Sequence, residues 1–548
     1  MKKLVLLLAA FIMQSAMAST PVTEIKKLEA TARIWGFLKY YHPQVAKGKF
    51  NWDQKLIDIL PEVEKATTKE ELSAVYLKWI DGLGEVPLCK KCGKVSKDKI
   101  FEKNFSMAWM EDGAAFTPEI AQKLKYIEAN RHLGESYYTD FKGAHNVEIR
   151  NEVEYKDFDY PTRHYRLLSL FRYWNIVEYY FPYKYQTDQK WDDVLVEMIP
   201  KFTETSDPQQ YHLAMLELVA KIDDSHGFLH TDYTNQYFGY YFAPVKFSII
   251  DGKAVITSFY EDEKAKKDDL RIGDAITHVN GVSVNDILAE KSRYIPASNP
   301  GGKKRNAHFA ILNGNTNKTT ITFERDGATA TKEISRYTKK EITVDKKPVA
   351  EKYKILDGNI GYINMGILEN QDVNPMFKKL GNCKALIFDI RNYPNGNMYE
   401  IGKYLMKEKK EFVHFIQPDP DYPGKYKWVY NYYVGPRGKS PYAYKGKVIV
   451  MVNETTQSHA EFTTMSLQAG DNVTTIGSQT AGADGNVSTI HFPGGFMTWI
   501  TGLGVFYPDG TQTQRVGVKI DLEVLTTIAG VRTGKDEVLD KAIELANQ

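Results

Sequence analysis

The segment RIWGFLKYYHP at 33–43 returns, altered, as RYWNIVEYYFP at 172–182, and NWDQKLIDILP at 51–61 returns as KWDDVLVEMIP at 190–200. Trp35 and Trp174, Trp52 and Trp191, and Pro61 and Pro200 are each 139 positions apart. A register held over three landmarks marks two copies of one helical unit. Residues 19–235 are therefore expected to form a duplicated helical region. The copies part at one place: WIDGLGEV (79–86) stands opposite KIDDSHGF (221–228), so Ser225-His226 replaces Leu83-Gly84. A loop that only ended a helix would accept either version. The second copy carries something more.

The chain of 548 residues opens with Lys2-Lys3, an apolar run from Leu4 to Met13, and Ala16-Met17-Ala18. These are the three parts of a secretory signal peptide, with 1–18 removed after Ala18. The protein is expected to be exported, periplasmic or extracellular. No cysteine follows the cleavage site, so no lipid anchor is expected there, and no later run reaches the ~18 apolar residues of a membrane helix. Stable membrane insertion is not expected. Without the two leader lysines the 71 basic residues fall to 69, equal to the 69 acidic ones. A balanced surface argues against a nucleic-acid partner. Oligomeric state is not legible. Cys89 and Cys92 form CKKC, open to reading as a local disulfide, half a zinc site or a redox pair. With no second CxxC and no spaced histidine pair, a structural disulfide or plain loop is the favoured reading, and neither metal nor cofactor is expected. Cys383 precedes an apolar strand and reads as core.

Composition turns β-rich at 236–340. Within GKAVITSFYEDEKAKKDDLRIGDAITHVNGVSV (252–284), Leu270, Gly273, Asp274, Ile276, Val279, Asn280 and Gly281 fit the L-x-x-G-D-x-I-x-x-V-N-G pattern of the PDZ domain, which this stretch resembles. The resemblance implies strands joined by an Asn-Gly turn and capture of chain ends at a sheet edge. EDEKAKKDD (261–269) reads as a solvated loop and SNPGGKKRN (298–306) as a flexible one. From 341 to 548 the apolar β-branched runs at 358–368, 384–392, 446–454 and 472–480 alternate with helical segments. That pattern predicts a mostly parallel, buried sheet.

Ser458, in TTQSHAEF, stands where the strand at 446–454 gives way to a helix. With Glu461 three residues on, it reads equally as a capping-box serine or as a nucleophile beside unpaired N–H groups, with His459 N–H as an oxyanion donor. IFDIRNYPNGN (387–397) offers a second loop of N–H groups. Pro394 cannot donate, leaving Asn395 and Gly396. G-x-S-x-G and H-E-x-x-H are absent, and GPRGKS (435–440) lacks the first glycine of a phosphate loop. The tyrosine-rich stretch around it reads as polar surface or substrate groove.

Taken in order, DIRNYPNG, TTQSHAE, GSQTAGADG (477–485) and RVGVKIDLEV (515–524) resemble the motifs of S41 peptidases, the carboxyl-terminal processing and tricorn-type proteases. The resemblance implies a multidomain α/β chain: a helical N-terminal region, a PDZ-like domain and a ClpP/crotonase-like α/β catalytic core. No lysine lies between Lys447 and Lys519, which removes the Ser-Lys design, whereas Asp224-Ser225-His226 resembles the tricorn-like D-x-S-H. The implied site is Ser458 as nucleophile, His226 as base and Ser225 acting through the family's final acidic residue, with Gly396, Asn395 and His459 at the oxyanion. That acidic position is occupied by Gln514, which leaves Asp484 or Asp509 as substitutes, and Asn395 stands where a glycine is usual. The expected function is an exported serine peptidase acting on peptides or proteins. The alternative is a weakened or inactive peptide-binding protein on the same fold.

Overall fold

The protein, a computed structural model, is described for residues 21–93, 99–141, 143–342, 350–438, 440 and 443–548. The expected leader lies outside the described residues. Helices α1 (Glu24–Tyr41), α2 (Trp52–Lys65) and α3 (Lys69–Asp81) form the first unit, and α4 (Arg163–Tyr180), α5 (Trp191–Thr203) and α6 (Pro208–Ala220) the second. The repeated sequence is repeated structure. Trp35 and Trp52 each donate an indole N–H to the other's carbonyl, at 3.1 and 3.0 Å. Trp174 and Trp191 do the same at 2.9 and 3.0 Å. The units dock reciprocally, because Arg172 pairs with Asp53 at 2.7 Å and its counterpart Arg33 with Asp192 at 3.1 Å. At the crossing of α1 and α4, Asn175 occupies the space over Gly36, where a Cβ would meet it at 1.7 Å.

An antiparallel sheet follows: β1 (Val245–Ile250), β2 (Lys253–Phe259), β3 (Ala275–Val279), β4 (Lys318–Arg325) and β5 (Ala328–Ser335), in the order β5-β4-β3-β2-β1. Asn280 and Gly281 turn the chain between β3 and Val282–Ser283, both at positive φ, as an Asn-Gly turn requires. Two expected loops are helical instead. EDEKAKKDD contains a helix over Asp262–Lys267, which buries Ala265 and leaves its charges outside. SNPGGKKRN contains α7 (Pro300–Asn306), because Asn299 caps Gly302 N–H at 2.8 Å and Pro300 suits the first helical turn. Helix α7 packs against β1.

The last part is built on β6 (Tyr353–Leu356), β7 (Ile360–Asn364), α8 (Val373–Leu380), β8 (Ala385–Asp389), α9 (Met398–Leu405), β9 (Lys410–Pro418), β10 (Tyr426–Val434), β11 (Lys447–Val452), α10 (His459–Gln468), β12 (Val473–Gly477), β13 (Val487–Phe492), β14 (Phe496–Thr501), β15 (Gly504–Phe506), β16 (Leu522–Glu523) and α11 (Glu537–Asn547). The four runs expected to form strands lie side by side and parallel as β7-β8-β11-β12, flanked by antiparallel β6 and parallel β16. Most of their side chains are buried, which is why the sequence there is largely apolar. A second sheet joins β15, β9, β10 and Ile100–Phe101 from the helical half. Cys89 and Cys92 are disulfide-bonded, and Cys383 is buried.

Candidate active site

Strand β11 ends in the parallel sheet and six residues later Ser458 precedes α10 with φ 57° and ψ −122°. This left-handed backbone costs an L-residue about 1–3 kcal/mol unless its surroundings enforce it. They do. Ser458 N–H donates to the Ala483 carbonyl at 2.9 Å and to Glu461 Oε2 at 3.2 Å. Buried Glu461 also accepts from Thr480 Oγ1 at 2.5 Å, Gly482 N–H at 2.8 Å and Ala483 N–H at 3.0 Å. Burial pushes the Glu461 carboxyl up despite these bonds. The serine–glutamate spacing and the Thr-x-Gly stretch are thus two halves of one clamp. Gly482, at φ 63°, has no room for a Cβ, which would stand 2.8 Å from the Arg515 carbonyl carbon. Ser458 is both the residue before the helix and a wall of the cavity beside it.

That cavity, of about 780 Å³, is also lined by His226, His459, Asp484, Arg305 and Trp499. His226 reaches it from the loop after α6. Its Nδ1 lies 2.9 Å from Thr501 Oγ1 and 3.3 Å from Asp224 Oδ1. A proton on Nδ1 satisfies both and leaves Nε2 with its lone pair, and Nε2 is buried with no protein partner. Asp224 is fully buried, accepting from His226 N–H at 3.1 Å and Thr501 N–H at 2.6 Å. Burial opposes its charge, but the His226 ring and these bonds hold the carboxyl below its ordinary range.

The other expected residues sit behind or beside this pair. Ser225 is turned from the ring: its Oγ donates to the Ala481 carbonyl at 3.1 Å and accepts from Ser298 N–H at 2.8 Å. Gln514 is buried, its amide 3.5 Å from Ser298 Oγ and its Oε1 without a partner, so it meets Ser225 only through Ser298 and does not touch His226. Asp509 is exposed and paired with Lys519 at 2.5 Å. Asp484 lines the cavity with Oδ2 unpartnered, and burial and the neighbouring Glu461 push its carboxyl well up. The carboxylate beside His226 is Asp224, two residues back in its own loop. The Asx-type reach of Asp224 to the N–H at i+2 was the signal for it. Of the oxyanion candidates, His459 opens α10, where first-turn N–H groups have no intrahelical acceptor. Gly396, at φ 74°, packs near it, with a Cβ position 3.8 Å from the His459 ring. The Asn395 amide turns away to the Leu368 carbonyl at 3.3 Å. Sequence reasoning missed Thr501, Trp499 and Arg305.

Ser458, at a strand–turn–helix junction, and His226 thus line one cavity. Residues 359–524 match the model of peptidase family S41, and the chain carries an S41 peptidase domain on its parallel sheet. Mature CPAF complexed with lactacystin is similar in fold at TM-score 0.56 and 15% identity, over 70% of this chain and 98% of that one. The photosystem II D1 C-terminal processing protease matches at TM-score 0.40 and 16% identity, over 68% and 98%. Tricorn protease matches at 0.34 and 15%, over 70% and 37%. No curated protein sequence matches the chain.

Proposed function

We propose that the protein is an exported serine peptidase in which Ser458 is the nucleophile, His226 the general base and Asp224 the group that orients and charges the base. The observation that carries this reading is the unpartnered His226 Nε2 in the cavity that Ser458 lines. Ser458 Oγ attacks the peptide carbonyl carbon as Nε2 takes its proton. The carbonyl oxygen, now anionic, is held by the N–H groups of His459 and Gly396, donors of a kind whose removal costs about 10²–10³ in rate. The C–N bond breaks as Nε2 returns the proton to the leaving amine. Water, deprotonated by the same nitrogen, then releases the acyl group. Asp224 supplies the charge that Gln514 lacks, while Ser225 and Gln514 support the loop from behind. The sheet β1–β5 is read as the PDZ-like module that presents substrate chain ends. The leader supports export, and among the described residues no helix is long and apolar enough to cross a membrane.

Incubating the protein with a mixed peptide library and reading products by mass spectrometry tests this. Cleavage is expected to vanish in Ser458→Ala and His226→Ala, and to fall on the order of 10⁴-fold in kcat with little change in KM in Asp224→Asn. Undiminished hydrolysis in Ser458→Ala sinks the reading. Peptides retained uncleaved by wild type and variants alike favour the binding-protein alternative, for which Gln514 is the motive.

A further inference from the structure

Arg305 lies on α7, outside the parallel sheet, yet lines the cavity with Ser458 and His226. Its guanidinium is held by neutral acceptors alone. Nε donates to Asn306 Oδ1 at 3.0 Å, one terminal nitrogen to the Glu454 carbonyl at 3.1 Å, and the other to Gln457 Oε1. Gln457 precedes Ser458 and donates in turn to the Ser225 carbonyl at 3.2 Å. Arg305 is thereby fixed to both catalytic loops. A guanidinium has five N–H groups, so three of them account for these bonds. No carboxylate among the described residues forms an ion pair with it. The two that act on it from further off are otherwise engaged: Glu454 with Ser478 Oγ at 3.2 Å, and Glu461 in the clamp under Ser458.

The remaining titratable groups of the cavity do not offset this charge. Burial holds His459 toward its neutral form and pushes Asp484 toward its protonated one. Arg305 brings a standing positive charge and a planar donor fork to a half-buried place a few ångströms from the attacking hydroxyl's own loop. A guanidinium with N–H groups to spare and no carboxylate bonded to it is built for a planar anion that arrives with the substrate.

Resting on the Ser458–His226 reading, we propose that Arg305 forms a subsite for a substrate carboxylate. The enzyme then favours bonds close to an acidic side chain or close to a chain's own C-terminal carboxylate. Both sources present the same oxygens, and one peptide series separates them. Each member keeps one backbone sequence and carries either internal Glu or Gln, and either a free C-terminal acid or an amide. Full-length wild type is expected to lose roughly ten- to hundredfold in kcat/KM when the recognised carboxylate is neutralised, the worth of one charge-assisted contact. Loss on Glu→Gln identifies a side-chain source, and loss on amidation a terminal one.

In Arg305→Gln that discrimination should collapse toward unity. In Arg305→Lys, which keeps the charge and loses the fork, it should be intermediate. Labelling of Ser458 by a fluorophosphonate probe in each variant reports an intact site independently of substrate choice. Equal rates of wild type on all four peptides overturn the subsite, as does discrimination that survives Arg305→Gln in a labelled variant. Cleavage persisting in Ser458→Ala overturns the underlying reading instead, whatever Arg305 does, so the two failures are distinct. If Arg305→Gln does not fold, the wild-type series and the lysine variant still decide.

Discussion

Asp484 shows how a single side chain is shaped by where the backbone puts it. It follows Ala483, whose carbonyl fixes the Ser458 N–H at 2.9 Å, and it is buried at the cavity wall with one oxygen unpartnered. Burial and Glu461 raise its carboxyl well above the ordinary 3.8. The sign is opposite to that of a salt-bridged acid. Above pH ~4 the unfolded chain releases this proton while the folded one keeps it, so stability falls as pH rises through that window. Asp484→Asn is expected to match wild type near pH 4 and to melt about 1–2 °C higher at pH 8, roughly the shift a 1–2 kcal/mol gain gives in a chain of this length. Calorimetry at both values checks it, and a variant less stable at pH 8 refutes the assignment. At this scale the sequence was informative where motifs hold residues of fixed chemistry: Ser458 and His226 stand out as the two Ser-His dipeptides in family order. Asp224 gives no such signal, because the family pattern places an acidic residue at the position of Gln514 and not two residues before His226. Thr501 and Arg305 gave no local signal, since their value comes only from strands and helices folding against distant loops.

Elements were legible to the degree that their burial is uniform. Strands β7, β8, β11 and β12 are covered on both faces and read as apolar runs. The hairpin β13–β14 and the ribbon β9–β10 mix buried with exposed positions and carry polar residues. They were not recognised as strands, and Trp499 was lost with them. Among the helices the repeat predicted two units but not how they meet. Their reciprocal ion pairs differ in burial: Arg172 and Asp53 are 1% and 8% exposed, whereas Asp192 opposite Arg33 is 60% exposed. Removing one member of a buried pair strands the other's charge and costs about 3–5 kcal/mol, while an exposed partner rehydrates for about 1 kcal/mol or less. Arg33 also pairs with buried Glu29 at 3.0 Å, but Glu29 keeps Lys26 at 3.0 Å when Arg33 is removed. Arg172 also faces Glu152 at 3.0 Å. Arg172→Met is therefore expected to destabilise severalfold more than Arg33→Met, despite their equivalent places in the two copies. Chemical denaturation of the two variants decides it. Equal losses mean that burial does not set the energy here.

Across the whole molecule the site is assembled from three regions: His226 from the end of the second helical unit, Arg305 from the helix beside the antiparallel sheet, and Ser458 from the parallel sheet. The helical half is welded to the last part. One core cluster runs from Trp35 and Trp174 to Ile416, Phe492, Ile500 and Phe506. Tyr183 Oη accepts from Val505 N–H at 2.5 Å, Arg131 donates to the Asp421 carbonyl at 2.7 Å, and Ile100–Phe101 extends the β9–β10 sheet. None of this was legible from the sequence, where periodicity reports the face an element buries and not the partner, hundreds of positions away, that covers it. The weld has a thermodynamic consequence. Apolar area shared between two regions is lost when either opens, so neither is stable alone to the degree that both are together. His226 is caught in the same exchange, because it and Asp224 bond to Thr501 across the boundary. Heating should therefore unfold the helical half and dismantle the site in one step. Far-ultraviolet circular dichroism, which is dominated by the helices, and fluorophosphonate labelling of Ser458 are expected to fall at the same temperature. Labelling that outlasts the helical signal by more than about 5 °C would show a site that stays assembled after the helices melt, and with it two cores rather than one.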